Sequence, residues 1–225
     1  MLESLHKKTY DVFVQPFLKH YLKKERWFVF EDLKLKIYPG VFHPGYFFST
    51  KVFAAYIQRL ELNNKNVCEV GAGSGLLSFI ALKKGAKLYS FDISLTAVKG
   101  IKENLETNFP GNKNFTVCHS DLFDFVPENN FDFLLINPPY FFSDPQTEDA
   151  HAWYCGKNGE YFEKLFAQLA RYSSPSSDIY MILADNCDIE RISAIAKKRG
   201  YLLKSIFEKK IKWEKNFIFK ITKQQ

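Results

Sequence analysis

The sequence predicts an α/β fold in which seven strands form a doubly wound, mostly parallel sheet with an antiparallel hairpin at its C-terminal edge. Three observations carry this. From Asn66 onward, short apolar runs such as "NVCEVG", "KLYSFD" and "FTVCHS" recur between longer segments of helical spacing. The first of these strands runs into the glycine-rich turn "GAGSG" before a helix. The last two strands, "YLLKSIFEKK" and "NFIFKIT", have no helix between them and so pair as an antiparallel hairpin.

Taken in order, residues 2–25 read as a helix, with Tyr10, Phe13, Val14, Phe17, Leu18 and Tyr21 on one face and a kink at Pro16. "RWFVFEDLKLKIYPG" gives two short strands around Glu31-Asp32, and a helix begins at Ser49 or Thr50 and runs to about Leu60. The alternation then sets in. The "NVCEVG" strand precedes a helix over Ser74–Lys84, and "KLYSFD" precedes one over Thr96–Thr107. "FTVCHS" and "FDFLLI" follow with a loop between them. A helix near Tyr161–Arg171, the strand "DIYMIL" and a helix over Ile189–Lys198 lead to the final hairpin. The domain expectation is an N-terminal appendage of helix plus hairpin over 1–39 and a catalytic domain over 40–225.

With 225 residues, the chain has enough length for one sizeable core. No apolar run reaches the ~20 residues of a membrane span. The lysines of "MLESLHKKTYDVF" are not followed by a signal core, so a cytoplasmic protein without membrane attachment is expected. Cys68, Cys118, Cys155 and Cys187 are far apart and form no C-x-x-C pair, which favours reduced thiols over disulfides or a zinc site. His43, His119 and His151 share no metal-ligand spacing, so no metal is expected. The net charge is +6, and residues 197–225 hold ten Lys or Arg against two Glu. That excess suits either a solvated face or a nucleic-acid footprint.

Ligands of such sheets bind beyond the carboxyl ends of the strands, where strand order reverses. Gly71, Gly73 and Gly75 give a G-x-G-x-G turn instead of the dinucleotide G-x-G-x-x-G, since position 76 is leucine. That spacing disfavours a nicotinamide oxidoreductase. Glu69, Asp92 and Asp121 fall at three successive strand ends. Together they suit ribose hydroxyls, an adenine amino group and a positive charge, the features of S-adenosylmethionine.

The strand "FDFLLI" ends in Asn137-Pro138-Pro139-Tyr140. Two prolines stop the strand and hold its tip extended. The Asn137 side-chain oxygen and the Pro138 carbonyl can accept the two N–H groups of a planar NH2, while the Tyr140 ring stacks on it. Such a clamp suits methylation of an amide or base amino nitrogen, with catalysis by positioning.

"EVGAGSG", "SFD", "SDLF" and "INPPY" resemble the donor and acceptor motifs of class I S-adenosylmethionine-dependent methyltransferases. "GVFHP" and "AWYCGKNGEYFEKLF" make the chain similar, from about Gly40 onward, to the HemK-like branch, whose members methylate release-factor glutamine. The resemblance implies a Rossmann-like class I fold. It also implies that Glu69, Gly71, Ala72, Gly73, Gly75, Asp92, Ile93, Asp121 and Leu122 hold the donor, with Thr50 and Asn137 beside them. Asn137, Pro138, Pro139 and Tyr140 would hold the acceptor, and Gly156-Lys157-Asn158-Gly159 would shape that side. The implied partner is a macromolecular substrate: a protein glutamine, such as that of a translation factor, or alternatively an adenine or guanine amino group in RNA or DNA. Two features depart from the branch. Only about 26 residues precede the first expected strand, where the bacterial enzymes have a helical domain, and Cys155 replaces the first glycine of the paired turn. Shorter relatives lack that domain and use a small activator subunit, a further partner the resemblance allows. A non-catalytic binding module on the same fold is the competing class.

Overall fold

The structure, a computed structural model, describes residues 24–224, so nearly all of the helix expected over residues 2–25 lies outside the described residues. The first elements are strands β1 (Arg26–Phe30) and β2 (Leu33–Ile37), an antiparallel hairpin turning at Glu31, whose φ of 54° is left-handed. Helix α1 (Phe48–Ile57) starts close to the expected Ser49. Then follow β3 (Asn66–Val70), α2 (Leu76–Lys83), β4 (Lys87–Asp92), α3 (Leu95–Asn108), β5 (Phe115–His119) and β6 (Phe131–Ile136). The remainder is α4 (Glu160–Gln168), β7 (Ser173–Ala184), α5 (Ile189–Lys198), β8 (Tyr201–Ile211) and β9 (Glu214–Lys223).

The main sheet has seven strands in the order β5-β4-β3-β6-β7-β9-β8. The β3, β4, β5, β6 and β7 pairings are parallel, whereas β9 runs antiparallel to both β7 and β8. The expected C-terminal hairpin is therefore present, with its second strand inserted beside β7 and its first strand at the edge. Strand order reverses at β3, which has β4 on one side and β6 on the other, so the crevice opens at their carboxyl ends.

Alternation along the strands sends side chains to two cores. Val67, Leu135 and Ile182 face α1, α2 and α3, while Val70, Leu134 and Met181 face α4 and α5. Burial on both faces explains why these strands read as continuous apolar runs. The small hairpin is packed into the first core through Leu33, Leu35 and Ile37. Its outer edge is closed by two asparagines of α3. Asn104 Oδ1 accepts from Lys36 N at 2.8 Å and Asn104 Nδ2 donates to Lys36 O at 3.0 Å; Asn108 does the same with Lys34 at 2.8 and 2.9 Å. These side chains supply the partners that a neighbouring strand would give. No helix among the described residues is long and apolar enough to cross a membrane, and the four cysteines are free thiols.

Candidate active site

The carboxyl ends of β3, β4 and β6 open into a cavity of about 280 Å³. It is lined by eight of the predicted donor residues: Glu69, Gly71, Ala72, Gly73, Asp92, Ile93, Asp121 and Leu122. Thr50, Asn137, Pro138 and Pro139 complete that face. The cavity thus brings together residues spread over some ninety positions of sequence.

The glycines divide by function. A Cβ on Gly71 would meet nothing within 4 Å, and one on Gly73 would come only within 3.9 Å of Phe42. Both face the open cavity, with φ of 67° and 51°, so the backbone is bare where a ligand would lie against it. Gly75 is different. It caps α2 at φ 77°, does not line the cavity, and a Cβ there would press on Ile101 and Phe79 at 3.1 Å. Its glycine is required by close packing of the helix start.

Asp92 receives Gly73 N at 2.7 Å on Oδ2 and Ser94 N at 2.9 Å on Oδ1. Each oxygen keeps a lone pair, because an ionised carboxylate has about four acceptor positions. Burial raises the Asp92 pKa, against the opposing pull of those backbone donors. Glu69 is more deeply enclosed. Its Oε2 accepts Ser78 N at 2.8 Å and also the Ser78 hydroxyl, which in turn lies 2.6 Å from Ser90 Oγ. Burial pushes the Glu69 carboxyl up to about 8, even though the Ser78 bonds favour its charged form. Asp121 is half exposed and ion-paired at 2.6 Å with Lys164, which also binds Asp124 at 2.6 Å. Leu122 adopts φ 51°, an uncommon conformation for a leucine, and is buried.

At the tip of β6, Asn137 Nδ2 donates to the buried Thr50 Oγ1 at 3.2 Å. Thr50, expected beside the donor, thereby also fixes the rotation of the Asn137 amide. Tyr140 departs from expectation. The ring was expected to stack on an acceptor, but it is buried at 7 % exposure, packs edge-on to Phe141 with centroids 5.0 Å apart, and does not line the cavity. The cause is the chain path. Phe141 N donates to Trp153 O at 3.1 Å and Phe141 O accepts Cys155 N at 3.0 Å, and this places Tyr140 within the second core. The cavity's aromatic rings are instead Phe42, Phe91, Tyr154 and Tyr161.

The stretch after the proline tip is folded over the cavity. A 3₁₀ turn at Glu148–Ala152 contributes Glu148, His151 and Ala152 to the lining. Trp153 closes against Phe42 and Phe47 at centroid distances of 5.0 and 4.7 Å. The Gly156–Gly159 turn has both glycines left-handed, at φ 87° and 82°. Cys155, in place of a glycine, is buried with its thiol donating to Phe141 O at 3.3 Å, and burial pushes it up to about 11. His43 is a core residue: its Nδ1 accepts Gly45 N at 3.1 Å, and burial holds its pKa down to about 4. Sequence reasoning did not single out Phe42, Tyr161 or Lys164 individually, although all three lie within or beside the quoted "GVFHP" and "GKNGEYFEKLF" stretches.

A parallel sheet with a glycine turn, acidic strand ends and a proline-stiffened amide at its switch point defines a class I methyltransferase fold. The profile of the methyltransferase small domain family matches residues 32–158, more than half of the chain, and the chain belongs to that family. It is an S-adenosylmethionine-dependent N-methyltransferase. A candidate protein N5-glutamine methyltransferase of Methanocaldococcus jannaschii is 36% identical over 151 residues, covering 63% of this chain and 71% of that protein. A tRNA1(Val) (adenine(37)-N6)-methyltransferase of Shewanella sediminis is 35% identical over 92 residues, or 38% of this chain; the match spans only 37% of that enzyme's length. Among solved structures, the E. cuniculi Mtq2–Trm112 complex, responsible for methylation of the eRF1 translation termination factor, superposes with a TM-score of 0.60. Identity there is 20%, covering 82% of this chain and 99% of that one, which bears on the fold alone.

Proposed function

We propose that the chain methylates the side-chain nitrogen of a protein glutamine, with the acceptor amide held by the tip at Asn137 and Pro138. The observation that carries this reading is the Asn137–Thr50 hydrogen bond beside the donor cavity. Because Nδ2 is occupied by Thr50, Oδ1 is the atom turned to accept an N–H from the substrate. The Pro138 carbonyl takes the second N–H, and Pro139 keeps that carbonyl from moving.

The cavity fits the donor. Asp92 has two lone pairs left for the ribose hydroxyls, Gly71 and Gly73 leave room for close approach, and Glu69 can face a positive charge. Ala72, Ile93, Asp121 and Leu122 line the remaining wall. When bound, S-adenosylmethionine supplies an electrophilic methyl group. The chain contributes aim: the clamp orients the acceptor lone pair in line, with reacting atoms about 3–3.5 Å apart. Glu148, His151 and Ala152 of the Glu148–Ala152 turn line the same cavity. Residues 40–225 would carry the chemistry, and residues 1–39 would form an appendage whose hairpin braces α3.

Glutamine is favoured by the length of the match to the M. jannaschii protein. A translation factor as substrate and a small activator subunit as partner are supported by the Mtq2–Trm112 likeness in fold. A second reading has an observation of its own. The β8–β9 hairpin turns at Lys212 and the exposed Trp213, with Lys209 and Lys210 on its arm, beyond the end of β7 at the carboxyl edge of the sheet. A basic tip carrying a half-exposed indole, which lies edge-on to Phe48 and beside Lys212, suits an RNA or DNA adenine or guanine as acceptor.

Incubation with methyl-labelled S-adenosylmethionine and fractionated lysate tests this. Label recovered as methylglutamine in protein supports the proposal; label recovered in RNA or DNA transfers it to the second reading.

A further inference from the structure

Tyr161 lines the same cavity, yet its hydroxyl is buried and has no hydrogen-bond partner. Burying a hydroxyl without a partner is unfavourable, and native structures seldom leave one so. Nor is the residue loosely held. It is the second residue of α4, and its backbone N–H donates to Cys155 O at 3.0 Å. The helix start is wedged in place at Gly159, where a Cβ would meet Ile195 at 2.7 Å and Phe142 at 2.8 Å. The ring packs edge-on to Phe162 with centroids 5.2 Å apart.

Its electrostatic surroundings say what it can do. Burial raises the phenol pKa, and the negative charges of Asp92 and Asp121 raise it further. The hydroxyl therefore stays protonated and sits within the field of both carboxylates proposed to hold the donor nucleoside. Those carboxylates can only accept hydrogen bonds when ionised. An adenosine between them presents ring nitrogens and ribose oxygens that accept hydrogen bonds; Lys164, which also lines the cavity, is committed to Asp121 and Asp124, whereas the Tyr161 hydroxyl has no partner.

We infer that the Tyr161 hydroxyl donates a hydrogen bond to an acceptor atom of the adenosine moiety, making α4 part of the donor site as well as of the acceptor side. The inference rests on the reading that the donor fills this cavity. It also links the two halves of the reaction, because Tyr161 lies two residues after Gly159, the last of the Gly156–Gly159 turn.

The test is calorimetry on wild type and Tyr161→Phe with S-adenosylhomocysteine and with 5′-methylthioadenosine. Phenylalanine keeps the ring and its packing. Loss of one hydrogen bond predicts affinity weaker by about 3- to 10-fold. Both ligands should lose the same factor, because both carry the nucleoside. The unliganded Tm should be unchanged or higher, since the variant no longer buries an unsatisfied group. Equal affinity of the two proteins for both ligands would overturn the inference while leaving the donor site standing. So would a loss confined to S-adenosylhomocysteine. A wild type that binds neither ligand would overturn the donor reading and this inference with it.

Discussion

Thr50 Oγ1 accepts a hydrogen bond from Asn137 Nδ2 at 3.2 Å, joining the first turn of α1 to the tip of β6 across 87 positions of sequence. In the proposed clamp this bond orients the amide toward the substrate. Thr50→Val keeps the shape and removes the anchor, leaving the amide free to turn. We expect kcat to fall roughly 10- to 100-fold, with S-adenosylhomocysteine affinity within a few-fold of wild type. Thr50→Ser, which retains the hydroxyl, should recover most of the rate. Steady-state kinetics alongside calorimetry checks both.

Asn137→Ala and Asp92→Ala should separate the two halves of the site. The first removes the acceptor clamp and should abolish transfer while donor affinity stays within a few-fold. The second removes the carboxylate that binds Gly73 and Ser94, so donor binding should be lost first. Full activity of Asn137→Ala would refute the clamp.

Much of this was legible because proline, glycine and acidic residues punctuate strands for physical reasons. The double proline ends β6, and the acidic ends of β3 and β4 stand out against apolar runs. Residue identity does not encode contact between distant segments. Thr50 and Asn137, or Asn104 and Lys36, meet only through the fold. The inward turn of Tyr140 depends on Phe141 pairing with Trp153 and Cys155, which no local pattern announces. Likewise the left-handed Leu122 has none of the glycine or asparagine character that signals positive φ. Gly75 read as a ligand-facing glycine because spacing alone cannot tell a bare cradle from tight packing.

That distinction is itself testable. Gly71→Ala adds a methyl group facing open cavity at φ 67°. It should weaken donor affinity by tenfold or more for a modest fall in Tm, since the left-handed strain is on the order of 1–2 kcal/mol. Gly75→Ala bears similar strain and also crowds Ile101 and Phe79 at 3.1 Å, so it should lower Tm by more. Thermal melts and calorimetry on the pair should show opposite rankings.

Glu69 predicts a pH dependence. Burial raises its folded pKa from 4.5 to about 8, so the folded state holds a proton that the unfolded state has lost. The favourable contribution is complete below pH 4.5 and disappears as pH rises to about 8; its size is on the order of a few kcal/mol. Glu69→Gln, uncharged throughout, should show a flatter Tm between those limits than wild type. A positively charged donor favours the carboxylate, so S-adenosylmethionine binding at pH 7 should release protons from wild type and fewer from Glu69→Gln. Calorimetry in buffers of different ionisation enthalpy measures this.

The most direct measurement is a crystal structure of the protein with S-adenosylhomocysteine. The account predicts the adenosine between Asp92 and Asp121, and the sulfur oriented so that a restored methyl group points at the space in front of Asn137 Oδ1. A filled electron density elsewhere, an empty glycine cradle, or a sulfur turned away from that amide would contradict it.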